Sequence, residues 1–309
     1  MRRRPLRALI AAAAWALAGA AAAADGGGGG GAPRAEWVGT YRWEGKSDRF
    51  GGFSGLELDE TGAAFLAVTD RGAIVQGRLT RDGRGAVSAV AAAPPVRLLS
   101  RHGKPYPPHL ADSEGLALLP GGGFAVSFET WDRISSYAGF GRVPLREDWI
   151  AVQVHFRANT GAEALAALPD GSLLFLPERP GEGEGDFPLL RLAGDTVTQV
   201  GRLRHDPGWS AVGADFGPDG RFYLLERDYW PLVGFRSRLR RITLAGEADS
   251  GFAVTEDIVL METRAGRHDN LEGLAAWRDA SGAVRLTMIS DDNFSPFQRT
   301  ELVDYRVAE

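Results

Sequence analysis

The chain has no cysteine and only two lysines, Lys46 and Lys104, in 309 residues. Without cysteine there are no disulfides, no thiolate metal sites and no cysteine nucleophile. The basic residues are otherwise arginines, which grip carboxylate or phosphate in a two-pronged fork; a GC-rich coding sequence would give the same bias. A formal net charge of −5 leaves no basic footprint for nucleic acid. Long capped amphipathic helical patterns are missing, which disfavours parallel α/β folds. Also absent are a G-x-S-x-G elbow, an H-E-x-x-H pair, a P-loop and a dinucleotide fingerprint after a strand. Beyond the N-terminus no apolar run is long enough to span a bilayer.

The opening MRRRPLRALIAAAAWALAGAAAAADGG has a basic start, an apolar middle and small residues at Ala22 and Ala24. It predicts a signal peptide over residues 1–24, cleaved before Asp25. Residues 25–35 read as a Gly-rich spacer and 36–309 as one domain. These expectations describe a periplasmic or secreted bacterial protein, monomeric, with no stable membrane insertion once the leader is removed.

What is present in quantity is repetition. FSGLELDETGAAFLAVTDR, SEGLALLPGGGFAVSFET, AEALAALPDGSLLFLPER, AVGADFGPDGRFYLLER and LEGLAAWRDASGAVRLTMISDD share one layout. Each is a short strand, a Gly-containing turn and a second apolar strand ending in Asp or Glu. Asp170-Gly171 and Asp219-Gly220 are hairpin turns of the type that adopts positive φ cheaply. Gly55, Gly115, Gly213 and Gly273 recur near the starts, where backbones must pack closely; the third repeat has Ala164 there. Further strand-like runs, AIVQGRL, FPLLRLAG and SRLRRITLAG, lie between. A hairpin plus two strands at this period describes a blade of an all-β propeller. Five blades are legible and a sixth is possible. EWVGTYRW, from Glu36, is placed to pair with the last blade and close the ring.

Reflecting each hairpin about its turn sets Glu114 opposite Glu129, Glu163 opposite Glu178, and Glu272 opposite Asp291. By the same reading Ser54 faces Asp70 and Val212 faces Glu226. In a propeller all these ends converge on one mouth of the central channel, giving a ring of carboxylates. Carboxylates about 5 Å apart must share a proton, take an arginine or hold a cation. Oxygen ligands suit Ca²⁺ or Mg²⁺, with calcium the first choice. The expected ligands are Glu114, Glu272 and Asp291, then Glu129 and Glu178. Arg71, Arg179 and Arg227 follow the strand ends and are either anchors for an anionic ester or internal partners of the acids. His109 and His268 precede the acid-bearing strands and are candidates to move a proton. His102, His155 and His205 read as structural. Ser54, the only serine on the ring, would need a base in reach to serve as a nucleophile.

Two motifs invite comparison. SRHGKPYPP resembles the R-H-G-x-R-x-P motif of histidine acid phosphatases through Arg101, His102, Gly103 and Pro107, but Pro105 stands where the second arginine is required. FGGFSGLELDETGAAFLAVTDRG, DSEGLALLPGGGFAVSFE and DNLEGLAAWRDASGAVRLTMISDDN resemble, in order, the bacterial phytase-like family with esterase-like activity, from about Trp37 to the C-terminus. That resemblance implies an exported β-propeller acting on esters or phosphoesters. A more distant similarity of the EGL pattern to gluconolactonase-type propellers implies a divalent metal at the mouth, with Glu114 and Glu272 as matching ligands. The resulting expectation is a metal-assisted hydrolase of a small ester or phosphoester, an anionic ester being one small-molecule partner it could take. The competing class is a non-catalytic binding propeller of the cell envelope.

Overall fold

A computed structural model describes residues 32–154 and 161–309. The signal-peptide assignment and His155 lie outside the described residues. The chain forms five antiparallel blades of four strands each. Blade 1 runs Phe53–Leu58, Ala64–Thr69, Ala73–Arg81 and Val87–Ala92, with Val96–Arg97 added beside its third strand. Blade 2 is Ser113–Leu118, Phe124–Phe128, Arg133–Tyr137 and Pro144–Trp149. Blade 3 is Ala162–Ala167, Leu173–Pro177, Phe187–Ala193 and Thr196–Leu203. Blade 4 is Ser210–Phe216, Phe222–Trp230, Gly234–Glu247 and Gly251–Glu262. Blade 5 is Asn270–Arg278, Val284–Asp291 and Glu301–Ala308, completed by the N-terminal strand Arg34–Arg42. That strand pairs Tyr41 with Leu302 and Trp37 with Tyr305. It closes the ring as the sequence suggests, although it begins at Arg34, inside the stretch read as spacer. The described residues form no sixth blade.

The turns behave as their chemistry dictates. Gly171 and Gly220 take φ of +84° and +75°, and Asp170 Oδ1 accepts the Ser172 N–H at 2.9 Å. Apolar residues then fill the spaces between blades. Phe53, Trp43 and Trp277 pack where blade 1 meets blade 5, and Phe187, Leu176 and Phe222 where blade 3 meets blade 4. Equivalent clusters fill the other three joints. Burial of side chains of this size stabilises by about 1.5–3 kcal/mol each, so every joint holds its neighbours.

The recurrent glycines sit where the inner strands meet. A Cβ at Gly115 would lie 2.6 Å from the Glu163 carbonyl oxygen, and one at Gly273 would lie 2.6 Å from the Leu56 nitrogen. Leu56, Leu116, Leu165, Ala214 and Leu274 surround an axial cavity of about 10 Å³, room for about one water. This apolar collar closes the channel below the ends that carry the acids.

Candidate functional site: an acidic mouth

Each hairpin carries a one-residue β-bulge at the same place. The register shifts at Ser54 in blade 1, at Glu114-Gly115 in blade 2, at Glu163 in blade 3, at Val212 in blade 4 and at Glu272 in blade 5. A bulge adds a residue to one strand and re-aims its side chain. The strand pairing expected from simple reflection is displaced beyond it by two residues in blades 1, 2, 3 and 5 and by one in blade 4, the bulge accounting for one residue of the displacement. The Glu129 N–H donates to Asp112 O at 2.8 Å, the Glu178 N–H to Gly161 O at 3.3 Å and the Asp70 N–H to Gly52 O at 2.7 Å. Asp291 pairs with Asn270, Arg227 with Ser210 and Glu226 with Ala211.

Two tiers result. The bulge tier holds Ser54, Glu114, Glu163, Val212 and Glu272. The tier above it holds Asp70, Glu129, Glu178, Arg227 and Asp291. Four blades thus place an acid in the upper tier and blade 4 places an arginine. Glu226, expected in the ring, lies one residue short of it. It is fully buried in blade 4, where it accepts from Arg238 Nε at 2.7 Å and Arg240 Nη1 at 2.9 Å. The spacing already held this answer, because Asp170-Gly171 to Glu178 and Asp219-Gly220 to Arg227 are the same interval.

The acids of different blades do converge. Glu114 is pushed well above the usual carboxylate range by burial and then by Glu163, Glu272, Asp112 and Glu129. Glu163 is raised strongly by burial and Glu178, against the pull of Arg227. Burial, with Glu272 next, lifts Asp291 to about 8. Burial, with Asp291 next, lifts Asp70 to about 7. Crowded carboxylates in a narrow, poorly hydrated opening hold protons that isolated ones would release.

Arg227 divides the mouth into unlike halves. Its guanidinium binds Glu272, donates to Glu178 at 3.2 Å and reaches Asn270 Oδ1 at 3.0 Å, joining blades 3, 4 and 5. Burial disfavours its charge, but Glu272, Glu163 and Glu178 together raise its pKa. Opposite, on blade 2, Asp112, Glu114 and Glu129 each offer an oxygen within 4.8 Å of the other two. No guanidinium pairs with them among the described residues. Oxygens about 2.4 Å from a shared Ca²⁺ lie no more than about 5 Å apart, so this donor set fits a hard divalent cation. Between the halves, Asp70 Oδ1 is buried with no hydrogen-bond partner. Asp112 and Asn270 were not singled out from the sequence. Their signal is position, since each stands two residues before a bulge.

The remaining candidates fall in different places. Arg71 lies face-on over Phe294, 3.4 Å from the ring centroid, with no acidic partner among the described residues. Arg179 donates to Ser210 Oγ at 3.0 Å. His109 sits exposed in the short turn Pro108–Leu110. His268 is buried against Tyr305, with Nε2 2.9 Å from the hydroxyl. Burial, helped by Arg267 and Arg299, lowers its pKa to about 4. It is a packed, neutral residue within blade 5, its ring against Tyr305 of the third strand. Ser54 donates to Ser113 O at 2.6 Å and is buried, with no hydrogen bond to a base among the described residues. The SRHGKPYPP segment holds Arg101, exposed, near Glu147 at the blade 2 edge.

Three repeat motifs on three blades meet at one acid-lined opening, and a family model for phytase-like proteins with the esterase-like activity of phytase matches residues 48–294. The chain belongs to the phytase-like family. The matched segment of this phytase-like chain includes every mouth acid named above. No curated protein matches the sequence significantly. Among solved structures, a putative gluconolactonase is 16% identical with a TM-score of 0.43, over 90% of this chain and 93% of its own. The glutaminyl cyclase of Myxococcus xanthus is 13% identical with a TM-score of 0.45, over 89% and 97%. A glucose dehydrogenase is 14% identical with a TM-score of 0.43, over 87% and 98%. Likeness at this level carries no inference about activity.

Proposed function

We propose that this phytase-like propeller is a divalent-cation-assisted hydrolase of small uncharged esters, working outside the cytoplasm as a monomer. The observation that carries this reading is the asymmetry of the mouth. One half has its own counter-ion, Arg227, and the other presents three converging oxygens without one. Asp112, Glu114 and Glu129 are the residues that would hold the cation, and calcium suits their all-oxygen character. When bound there, such an ion polarises an ester carbonyl and lowers the pKa of water. Asp70, with its unpartnered oxygen, is positioned to take a proton from attacking water. Arg227 keeps Glu178 and Glu272 tied back, so they neither compete for the cation nor repel the substrate. Arg71 and Arg179 stand at the rim, with N–H groups free of acids among the described residues, for the departing carboxylate.

The excess of carboxylates disfavours a doubly charged phosphate monoester, which narrows the substrate from the wider class that the motifs imply. The test is hydrolysis of p-nitrophenyl acetate and p-nitrophenyl phosphate by chelator-treated protein with and without added Ca²⁺. The expected result is calcium-dependent turnover of the acetate, falling at least about a hundredfold in Glu114→Gln, the scale of losing one electrostatic contact to the transition state. Calcium binding by calorimetry with no turnover of either compound would assign a binding propeller instead.

A further inference from the structure

Buried arginines in this chain are answered by acids, with one exception among the described residues. Arg191, Arg238, Arg240, Arg241 and Arg285 are buried, and each holds at least one carboxylate. Arg133 opens the third strand of blade 2, is fully buried and forms no ion pair there.

Blade 4 supplies a direct comparison. Arg133 pairs across the ladder with Phe128, the residue before Glu129, and Arg238 pairs with Glu226, the residue before Arg227. The two arginines therefore hold the same place in their blades. Arg238 faces a carboxylate and binds it at 2.7 Å. Arg133 faces a phenyl ring, 3.8 Å from the centroid, with the Tyr106 ring at 4.5 Å. Glu147 binds the Tyr106 hydroxyl instead of the guanidinium. Aromatic faces offset part of the cost of burying a cation, but Arg133 Nε has no hydrogen-bond partner. Methionine would fill much of this space with no charge to desolvate.

What the guanidinium holds is backbone. It donates to Leu110 O and reaches Trp131 O at 3.5 Å. Leu110 stands two residues before Asp112, and Trp131 two residues after Glu129. The Glu129 N–H in turn donates to Asp112 O at 2.8 Å. Between Glu129 and Trp131, Thr130 takes a φ of +67°, a conformation that a β-branched residue keeps only where its surroundings enforce it. Two of the three acids whose oxygens converge on blade 2 thus sit on segments tied to one buried side chain.

We propose that Arg133 is a positioning residue for this cation set. The proposal rests on the cation reading of the mouth and names what keeps Asp112 and Glu129 converged. A planar fork reaches two carbonyls at once, which a point-like ammonium does less well. The sign of the charge separates this role from an electrostatic one. A nearby positive charge by itself repels a cation, so Arg133 aids binding only through geometry.

Calorimetric titration of chelator-treated protein with calcium chloride tests it. Arg133→Met weakens calcium binding at least about tenfold, the usual scale for losing a group that orients metal ligands. Arg133→Lys weakens it too, although the charge is kept, and carries the comparison should the methionine variant fail to fold. Arg285→Met is the control, since it strips Asp279 of a buried guanidinium at the other end of the strand from Asp291. It lowers the melting temperature and leaves calcium affinity unchanged. Arg133→Met does the reverse, because its cage stays filled and loses an unanswered charge. Unchanged affinity in both Arg133 variants overturns the proposal and leaves the cation site standing. Tighter binding by Arg133→Met also overturns it, because only the charge would then matter. Wild-type protein that binds no calcium removes the site and its positioning residue together.

Discussion

Glu226 and Glu114 are both glutamates enclosed by the same propeller, and their surroundings could hardly differ more. Glu226 has Arg238 and Arg240 on its two oxygens, and these in turn hold Asp206 at 2.6 Å and Asp257 at 2.6 Å. Every charge in that chain meets an opposite one. Glu114 feels the like charges of Glu163, Glu272, Asp112 and Glu129, and no guanidinium pairs with it among the described residues. A buried acid is therefore no signal of function by itself; what distinguishes the two is whether the chain has supplied the counter-charge. Where it has, the network belongs to the fold. Where it has not, the folded state is left with an electrostatic debt that a ligand can settle.

The sharpest way to break this comparison is to remove one partner from each side. Arg240→Ala strips Glu226 and Asp257 of a fully buried guanidinium and should cost about 3–5 kcal/mol in urea denaturation. Glu114→Gln should raise the stability of cation-free protein, since a neutral amide relieves repulsion at similar shape. Equal losses in both variants would mean that the two regions are alike after all. Next in size is Arg227→Gln, which frees Glu178 and Glu272. We expect a loss of about 2 kcal/mol without cation, less than for the blade 4 network because water reaches the mouth. Calcium should restore most of that loss. Failure of calcium to restore stability would show that the mouth acids do not share one cation-hungry field.

The smallest effect is the pH dependence. Asp291 and Asp70 titrate at about 8 and about 7 in the folded chain, against about 3.9 for an aspartate in an unfolded one. Between about pH 4 and 8 the folded state holds protons that the unfolded state has released. The stability these groups contribute at low pH is lost as pH rises through that window. His268 acts in the other direction. With a folded pKa of about 4 against about 6.5 unfolded, it costs stability as pH falls below 6.5. The two effects overlap in acid, so the clean range is from about pH 6.5 to 8. There the melting temperature of chelator-treated protein should fall with pH, and more gently with calcium present. A flat profile in both conditions would remove the mouth acids from the energy of the fold.

Much of the architecture was legible along the chain. Five hairpins with Gly-containing turns, recurrent small residues and an N-terminal strand to close the ring are local or periodic features. Alternation and turn chemistry report them directly. The convergence of acids on one mouth was legible for the same reason, since equal hairpins arranged in a ring must bring equal positions together. The bulges were not. An extra residue in one strand leaves no trace in composition, and with the turn centre itself one residue off, Glu114 was set opposite Glu129 when Asp112 holds that place. The placing of Glu226 in the ring had another source, since the interval from Asp219-Gly220 to Arg227 equals that from Asp170-Gly171 to Glu178 and points to Arg227. His268 shows the other limit: its nearness to Glu272 in sequence says nothing of the Tyr305 hydroxyl that holds it from a strand more than thirty residues on.

The sequence by itself determined the propeller, its five hairpins and the acidic character of one end, because these follow from short-range periodicity repeated at a fixed interval. Only the tertiary structure decided which acids are answered and which are not. Whether a carboxylate meets a guanidinium depends on one-residue register and on strands far apart in the chain. Local pattern carries no information about either.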